Sequence, residues 1–261
     1  MLTIVMPMAG LGSRFRDTGE ERPKPLIDAG GTPMFLLALG SLAPLLPQSQ
    51  VIAVVLAEHA ASSGIKRALE DAHPGISVAE APKLTGGALE TCLLAAPLAK
   101  TPGAPLVVLD CDLTFDAPNW LQRLRALAEG KDSSDGLLLS FRSSEPCFSY
   151  AETRGDRVVR TAEKQVISDR ALIGAYGFRS ADLFFSVARD IVSDDERVGG
   201  EYYTSSAYNR MIRQGLTVGI ADAERYWSLG TPAQLARAKA DKLFSSHVVT
   251  IQDCLSRLAH E

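Results

Sequence analysis

Two apolar runs constrain the fold more than any other feature of the chain. Val51-Ile-Ala-Val-Val-Leu56 and Pro105-Leu-Val-Val-Leu-Asp110 contain no alternating polar residue. A strand with one wet face alternates, whereas an unbroken apolar strand is covered on both faces. Thr3 to Met8 is a third β-rich run, stopping at Gly10. Helical patterns lie between these runs. One opens at Pro33 and continues through Phe35, Leu36, Leu39 and Leu42, with proline at a first-turn position where its missing N–H costs little. Others span 60–72 and 86–99, and a short strand is expected over 76–79. Buried strands separated by helices predict a parallel sheet with helices on both faces.

The second half reads differently. Strand candidates at 137–142, 149–153, 158–162 and 172–178 lie too close together for crossover helices, so antiparallel pairs are expected there. Helices over 180–191 and 203–214, a strand over 216–221 and a helix from Pro232 complete the body. The expected fold class is α/β: a single Rossmann-like mixed sheet, mainly parallel, with an antiparallel subregion. Phe244, Val248, Ile251, Leu255 and Leu258 form one helical stripe near the end. Packing onto its own domain is the favoured reading, and a homodimer contact the alternative. The β-branched Val248-Val-Thr-Ile251 weighs against a helix there. Residues 1–261 are expected to form a single domain, with a nucleotide-binding half over 1–135, an acceptor-binding half over 136–231 and a helical segment over 232–261.

The charge balance excludes some partners. Twenty-seven basic residues face 31 acidic ones, a net −4, which supports neither a nucleic-acid nor a membrane partner. Cys92, Cys111, Cys147 and Cys254 are scattered and form no zinc pattern. The apolar start runs into a glycine turn and reads as a strand, not a signal peptide. No run approaches the roughly 20 apolar residues of a membrane span. The expected location is the cytoplasm.

The most informative segment is Met6-Pro-Met-Ala-Gly-Leu-Gly-Ser-Arg-Phe15, followed by Arg22-Pro-Lys-Pro-Leu26. A strand ends and a glycine loop begins, at the sheet edge where parallel α/β proteins bind ligands. Gly10 and Gly12 let backbone N–H groups approach an anion. Arg14 adds a planar fork suited to phosphate oxygens. Lys24 lies between prolines expected to hold it extended and aim its ammonium group. Phe15 stands at the third glycine position of a dinucleotide fingerprint, and no Gly-Lys-Ser/Thr of a P-loop follows.

This segment resembles the signature of the nucleotidyltransferases that attach a nucleoside monophosphate to a phosphorylated sugar or similar small molecule, a family with a GT-A-like fold. Later segments extend the resemblance in the family's order. These are Leu109-Asp-Cys-Asp-Leu-Thr-Phe115, Glu163-Lys164, Gly174-Ala-Tyr-Gly-Phe178, Gly200-Glu-Tyr-Tyr203 with Asn209, and Trp227-Ser-Leu-Gly-Thr-Pro232. The resemblance implies attack of an acceptor phosphate on the α-phosphorus of a nucleoside triphosphate (CTP, UTP or dTTP) with loss of pyrophosphate. It implies that Met8, Ala9, Gly10, Leu11, Gly12 and Ser13 hold the nucleotide, with Gly86 and Gly87 beside its base. Arg14 and Lys24 would bind its phosphates, and Asp112 would hold Mg²⁺. Asp110 is a second ligand, a structural strand-end residue or the first half of a D-x-D. Lys164 would take the acceptor phosphate and Glu163 an acceptor hydroxyl or amine. Gly174, Tyr176, Glu201 and Trp227 complete the implied acceptor site, with core packing the competing reading for Tyr176, Tyr202 and Trp227. Thr85 is the expected cap of the following helix.

Two departures stand out. Ser228 and Leu229 occupy positions where many relatives place a second metal-binding aspartate, which leaves Asp110, Asp222, Glu224, water or substrate phosphates to fill that role. Ala81, Pro82 and Lys83 stand where a base-reading glutamine is common, so main chain is expected to read the base. The subtype resembles enzymes of capsule and surface-polymer synthesis. The alternatives are a cytidylyltransferase for a non-sugar acceptor, a glycosyltransferase using Asp110-Cys-Asp112, and a non-catalytic nucleotide-binding module. None of the histidines (His59, His73, His247, His260) stands beside a candidate nucleophile; His59 and His73 are expected at the surface or in structural roles.

Overall fold

A computed structural model describes residues 1–258, so His260 and the last residues of the 232–261 segment lie outside the described residues. The first half runs β1 (Leu2–Met8), α1 (Ser13–Arg16), α2 (Met34–Gly40), β2 (Ser49–Leu56), α3 (Ala57–Ser62), α4 (Ile65–Ala72), β3 (Ser77–Ala81), α5 (Ala88–Leu93), β4 (Leu106–Leu109), β5 (Leu113–Asp116) and α6 (Pro118–Ala128). The second half runs β6 (Gly136–Arg142), β7 (Tyr150–Arg154), β8 (Arg157–Ala162), β9 (Arg170–Phe178), α7 (Ala181–Ser193), α8 (Ser206–Arg213), β10 (Val218–Asp222), β11 (Arg225–Ser228), α9 (Pro232–Ala240) and α10 (Lys242–Leu258).

Among the described residues, nine strands form one mixed sheet in the order β3-β2-β1-β4-β9-β6-β10-β8-β7. β3, β2, β1 and β4 are mutually parallel, and β9 is antiparallel to β4 and β6. The apolar runs are covered on both faces. Ile4, Met6, Val51, Ala53, Val55, Val107 and Leu109 pack with Phe35, Leu39 and Trp120 on one side. Val5, Ile52, Val54, Leu106 and Val108 pack with Leu89, Phe184 and Tyr208 on the other. The absence of polar alternation thus reflects helices above and below.

The mixed sheet is as expected, but its Rossmann-like form holds only for the parallel part. β7 returns to β9 through the pair Tyr150–Ala171, so β9, β6, β10, β8 and β7 close into a ring. A register shift between Leu138 and Ser140 interrupts the β6–β9 ladder within this ring. Irregular register increases local twist, which lets a short antiparallel sheet curl. Further differences are local. The helix expected over 60–72 is two helices, broken where Gly64 takes a left-handed conformation. β5, β11 and α6 were not expected: β5 and β11 are four-residue strands, too short to carry a periodic signal.

The tail is helical despite its β-branched stretch. Phe244, Val248 and Ile251 are buried against Trp227, Leu37 and Met34. Burial of this stripe outweighs the modest propensity cost of β-branching. A Cβ on Gly40 would collide with the Ile251 side chain, so this glycine permits close contact between α2 and α10. No helix among the described residues is long and apolar enough to cross a membrane.

Gly40→Val should press on Ile251 and destabilise the protein by about 1–3 kcal/mol, as overpacking does. In urea melts, combining it with Ile251→Ala should cost at least about 0.5 kcal/mol less than the sum of the single changes. Strict additivity would show that α10 does not rest on this contact.

Candidate active site

The strand register brings the two leading motifs together. β1 pairs with β4 so that Val5 lies opposite Val108, and the segments that follow, at Met8 and Cys111, reach the same cavity. The glycine loop and Asp110-Cys-Asp112 therefore leave adjacent strands at the same edge. They line a cavity of about 440 Å³ with Met8, Gly10, Gly12, Ser13, Arg14 and Lys24. Glu201 and Gly230 approach from the second half.

Gly12 has φ 64, in the left-handed region that favours glycine, and precedes α1. A Cβ there would lie 3.1 Å from the Lys24 Cβ, so this close approach sets Lys24 against the loop. Lys24 opens a 3-10 turn, Lys24–Leu26, with Ile27 N donating to its carbonyl at 3.1 Å. The expected extended segment is therefore replaced by a turn, which Pro25 permits because its missing N–H is not needed in a first turn.

Lys24 Nζ donates to Asp112 Oδ2 at 2.5 Å. Burial is the largest single effect and opposes its charge, but Asp112, Cys111 and Asp110 together hold the ammonium above its ordinary pKa. Asp110 has no side-chain hydrogen bond among the described residues. Burial, and then the neighbouring Asp112, push its carboxyl far above the usual carboxylate range. The centre thus holds two carboxyl groups and one ammonium group. Its backbone is also tight: Asp110 N donates to Gly174 O at 2.7 Å, and a Cβ on Gly174 would lie 2.7 Å from Asp110 Cγ. Gly174 thus lies against the aspartate, outside the cavity lining.

The other candidates are placed unequally. Arg14 is exposed at the cavity and has no side-chain hydrogen bond among the described residues. Glu163 is half-buried and accepts from Ser149 Oγ at 2.6 Å and from Ser205 Oγ; burial raises its carboxyl above the ordinary value despite both bonds. Lys164 takes a left-handed φ of 51 and donates to Tyr203 Oη at 2.8 Å. Tyr176 is buried against Tyr208 in the core. Trp227 is also buried: it donates from Nε1 to Asp241 Oδ2 at 2.8 Å and packs on Phe244 and His247, fastening α9 and α10 to β11.

Gly86 and Gly87 meet protein. A Cβ on Gly87 would lie 2.5 Å from Tyr202 O, and Tyr202 N donates to Gly86 O at 2.8 Å. The close approach expected for a base is filled at this point by the Tyr202 backbone. The helix cap also differs: Gly87 occupies the cap position, while Thr85 Oγ1 bonds Gly87 O and Thr91 Oγ1. His59 is buried and faces Arg16 Nη2 at 3.0 Å; burial and that guanidinium lower its pKa.

Asp222 is engaged by Ser140, Arg142 and Arg170, and neither it nor Glu224 lines the cavity. No group of three or more metal-ligating side chains occurs among the described residues. Asp110 and Asp112 nevertheless fit a hard divalent cation. Their oxygens are the preferred donors, the Asp110 carboxyl has no cation of its own and can give up its proton to a bound cation, and Mg²⁺ is commonly held by one or two carboxylates plus substrate phosphates. Gly230 was missed as a site residue. It lies beside Asp112, where Leu229 N donates to Asp112 O at 2.8 Å. Its signal was present in the Trp227–Pro232 segment, but only the β5–β11 pairing brings that segment to Asp112.

With this arrangement in hand, similarity to known proteins is specific. The chain belongs to the MobA-like NTP transferase domain family, whose profile matches residues 4–177. In class it stands among the nucleotidyltransferases. It is 28% identical over 260 residues to the bifunctional protein GlmU of Cereibacter sphaeroides, covering 97% of this chain and 54% of that protein. It is 26% identical over 250 residues to GlmU of Ruegeria pomeroyi, covering 93% and 52%. The chain thus spans about half the length of these relatives. A nucleoside-diphosphate-sugar pyrophosphorylase from Vibrio cholerae superposes with TM-score 0.75 and 25% identity, over 93% of this chain and 99% of that one. The inositol-1-phosphate CTP transferase of T. maritima shares the fold with TM-score 0.73 at 13% identity, over 96% of each chain.

Asp110 yields a pH prediction. Its folded carboxyl keeps its proton above the ordinary aspartate pKa near 3.8. Once pH exceeds that value, folding takes up a proton, and stability falls as pH rises toward the folded pKa. Each pH unit in that window costs about 1.4 kcal/mol per proton taken up. Urea melts of metal-free protein should show this decline, and Asp110→Asn should flatten it. An equal slope in both proteins would refute the buried-carboxyl assignment.

Proposed function

We propose that the protein transfers a nucleoside monophosphate from a nucleoside triphosphate to a phosphorylated sugar or related small molecule, releasing pyrophosphate. The observation that carries this reading is the Lys24–Asp112 pair at the glycine-loop cavity, with Asp110 beside it. Backbone N–H groups from Met8 to Ser13 receive the triphosphate, and exposed Arg14 supplies a planar fork to its oxygens. Lys24 neutralises charge at the reacting phosphates. The acceptor's phosphate oxygen forms a bond to the α-phosphorus as the α–β bridging bond breaks, and the electron pair leaves with pyrophosphate. The nucleophile is already ionised at neutral pH, so no proton must be removed. Positioning and charge neutralisation then supply the rate enhancement.

Asp112, with Asp110, would hold Mg²⁺, which supplies charge neutralisation to phosphate oxygens when bound. Glu163 and Lys164 face the acceptor in this reading, with Glu201 at the cavity wall. Residues 1–135 hold the nucleotide and 136–231 the acceptor, both within one functional domain. The reaction belongs in the cytoplasm, where nucleoside triphosphates are available, and its product would supply a surface-polysaccharide precursor. A glycosyltransferase using the same aspartates is less well supported, because it gives Lys24 no role.

The test is pyrophosphate release from each common NTP with Mg²⁺ and a panel of phosphorylated acceptors. Lys24→Ala and Asp112→Asn should each lower kcat by about 10²–10³, the usual scale for losing one preorganised charge contact. Melting temperatures should move by only a few degrees, because neither side chain belongs to the apolar core. Protein that binds an NTP but releases no pyrophosphate with any acceptor would overturn the proposal.

A further inference from the structure

A second cavity adjoins the first. It has a volume of about 480 Å³ and lies between the segment after β6 and the β11–α9 region. Its aromatic wall is Phe141, Phe148 and Tyr226, with Phe141 centred 5.0 Å from Phe148 and 4.5 Å from Tyr226. Gln234 marks the junction with the catalytic cavity. A Cβ on Gly230 would lie 3.2 Å from Gln234 Oε1 and 2.9 Å from Asp112 Oδ2. The Gln234 side chain has no hydrogen-bond partner among the described residues; its backbone N–H alone is engaged, by Thr231 Oγ1 at 3.1 Å.

The charged groups around this cleft already have partners. Arg142 binds Asp169 at 2.5 Å and Asp222 at 3.2 Å. Asp241 accepts from the Trp227 indole at 2.8 Å, and Arg237 faces Glu145 at 3.9 Å. The lining charges also cancel, two guanidinium groups against two carboxylates. What remains is an aromatic wall, a free amide and hydroxyls from Ser143 and Ser228. Such a surface suits a neutral polyhydroxylated ring, whose C–H faces pack on aromatics and whose hydroxyls take amide and hydroxyl hydrogen bonds. A cationic head group would find the lining carboxylates already engaged, Glu145 by Arg237 and Asp241 by the Trp227 indole and Leu243 N. The rings also pack against one another instead of enclosing a cation.

We propose that this cleft receives the carbon skeleton of the acceptor, a polyol ring phosphate, with Gln234 and Phe148 setting acceptor specificity. This inference rests on the transferase reading above. The ring lies in the cleft while its phosphate reaches past Gln234 and Gly230 toward Lys24 and Asp112. Gln234 is a promising residue for the test, because its side chain bonds nothing in the protein and its removal leaves the α9 cap intact.

Trp227 lines the cleft and reports on it by fluorescence, whereas Trp120, the other tryptophan, is fully buried. Wild-type protein is titrated with glucose 1-phosphate, inositol 1-phosphate and phosphocholine. At least one ring phosphate should give a saturable change and phosphocholine none. Gln234→Ala and Phe148→Leu should each weaken that binding about tenfold or more while leaving NTP affinity unchanged. Failure of both ring phosphates to bind, equal affinity in the variants, or a response to phosphocholine alone would overturn the assignment. Pyrophosphate release in the same samples separates the two proposals. Turnover with an acceptor KM unmoved by the variants removes the cleft and leaves the transferase. Saturable, variant-sensitive binding without turnover for any NTP removes the transferase and leaves the cleft.

Discussion

The pairing of β1 with β4 is the constraint on which the site depends. Each strand is short, and each ends in a polar segment that has no reason to approach the other along the chain. Parallel register with Val5 opposite Val108 makes their ends coincide. Both strands are buried on two faces, so a one-residue slip would turn every core side chain to the wrong side. Packing of the core therefore determines the separation between the glycine loop and the aspartates. The chemistry is positioned by apolar residues that never touch a ligand.

Electrostatics builds on that register. Asp110 is enclosed by β9, with Gly174 against its carboxylate, and lacks a protein cation of its own. Asp112 is nearer the cavity and binds Lys24. Two carboxyl groups with different surroundings share one ammonium group. In the free protein Lys24 balances Asp112 and burial keeps the Asp110 carboxyl protonated, so a second carboxylate becomes available only when a cation displaces that proton. Near-neutral overall composition conceals this local arrangement, since net charge carries no information about which groups share a cavity.

Much of the framework was legible in the chain. The unbroken apolar runs specified two-sided burial, the spacing after residue 136 specified antiparallel pairing, and the glycine loop with Lys24 identified one edge of a cavity. Other residues were legible only as members of a motif. Gly86 and Gly87 signalled a close approach but not its occupant, which at Gly87 is the Tyr202 backbone. Trp227 is shared between a core contact with α10 and the lining of the second cleft. Gly230 and Gln234 gave no individual signal, because their importance arises from Asp112, more than a hundred residues earlier in the chain.

The sequence by itself determined which segments must be buried, where the chain must turn and which side chains could meet phosphate, because these follow from local periodicity, glycine and proline geometry, and residue chemistry. Tertiary structure decided which of those side chains share a site. The return of β7 to β9, the pairing of β5 with β11 and the placement of Gln234 beside Asp112 are long-range contacts set by packing and register, so short sequence windows do not contain them.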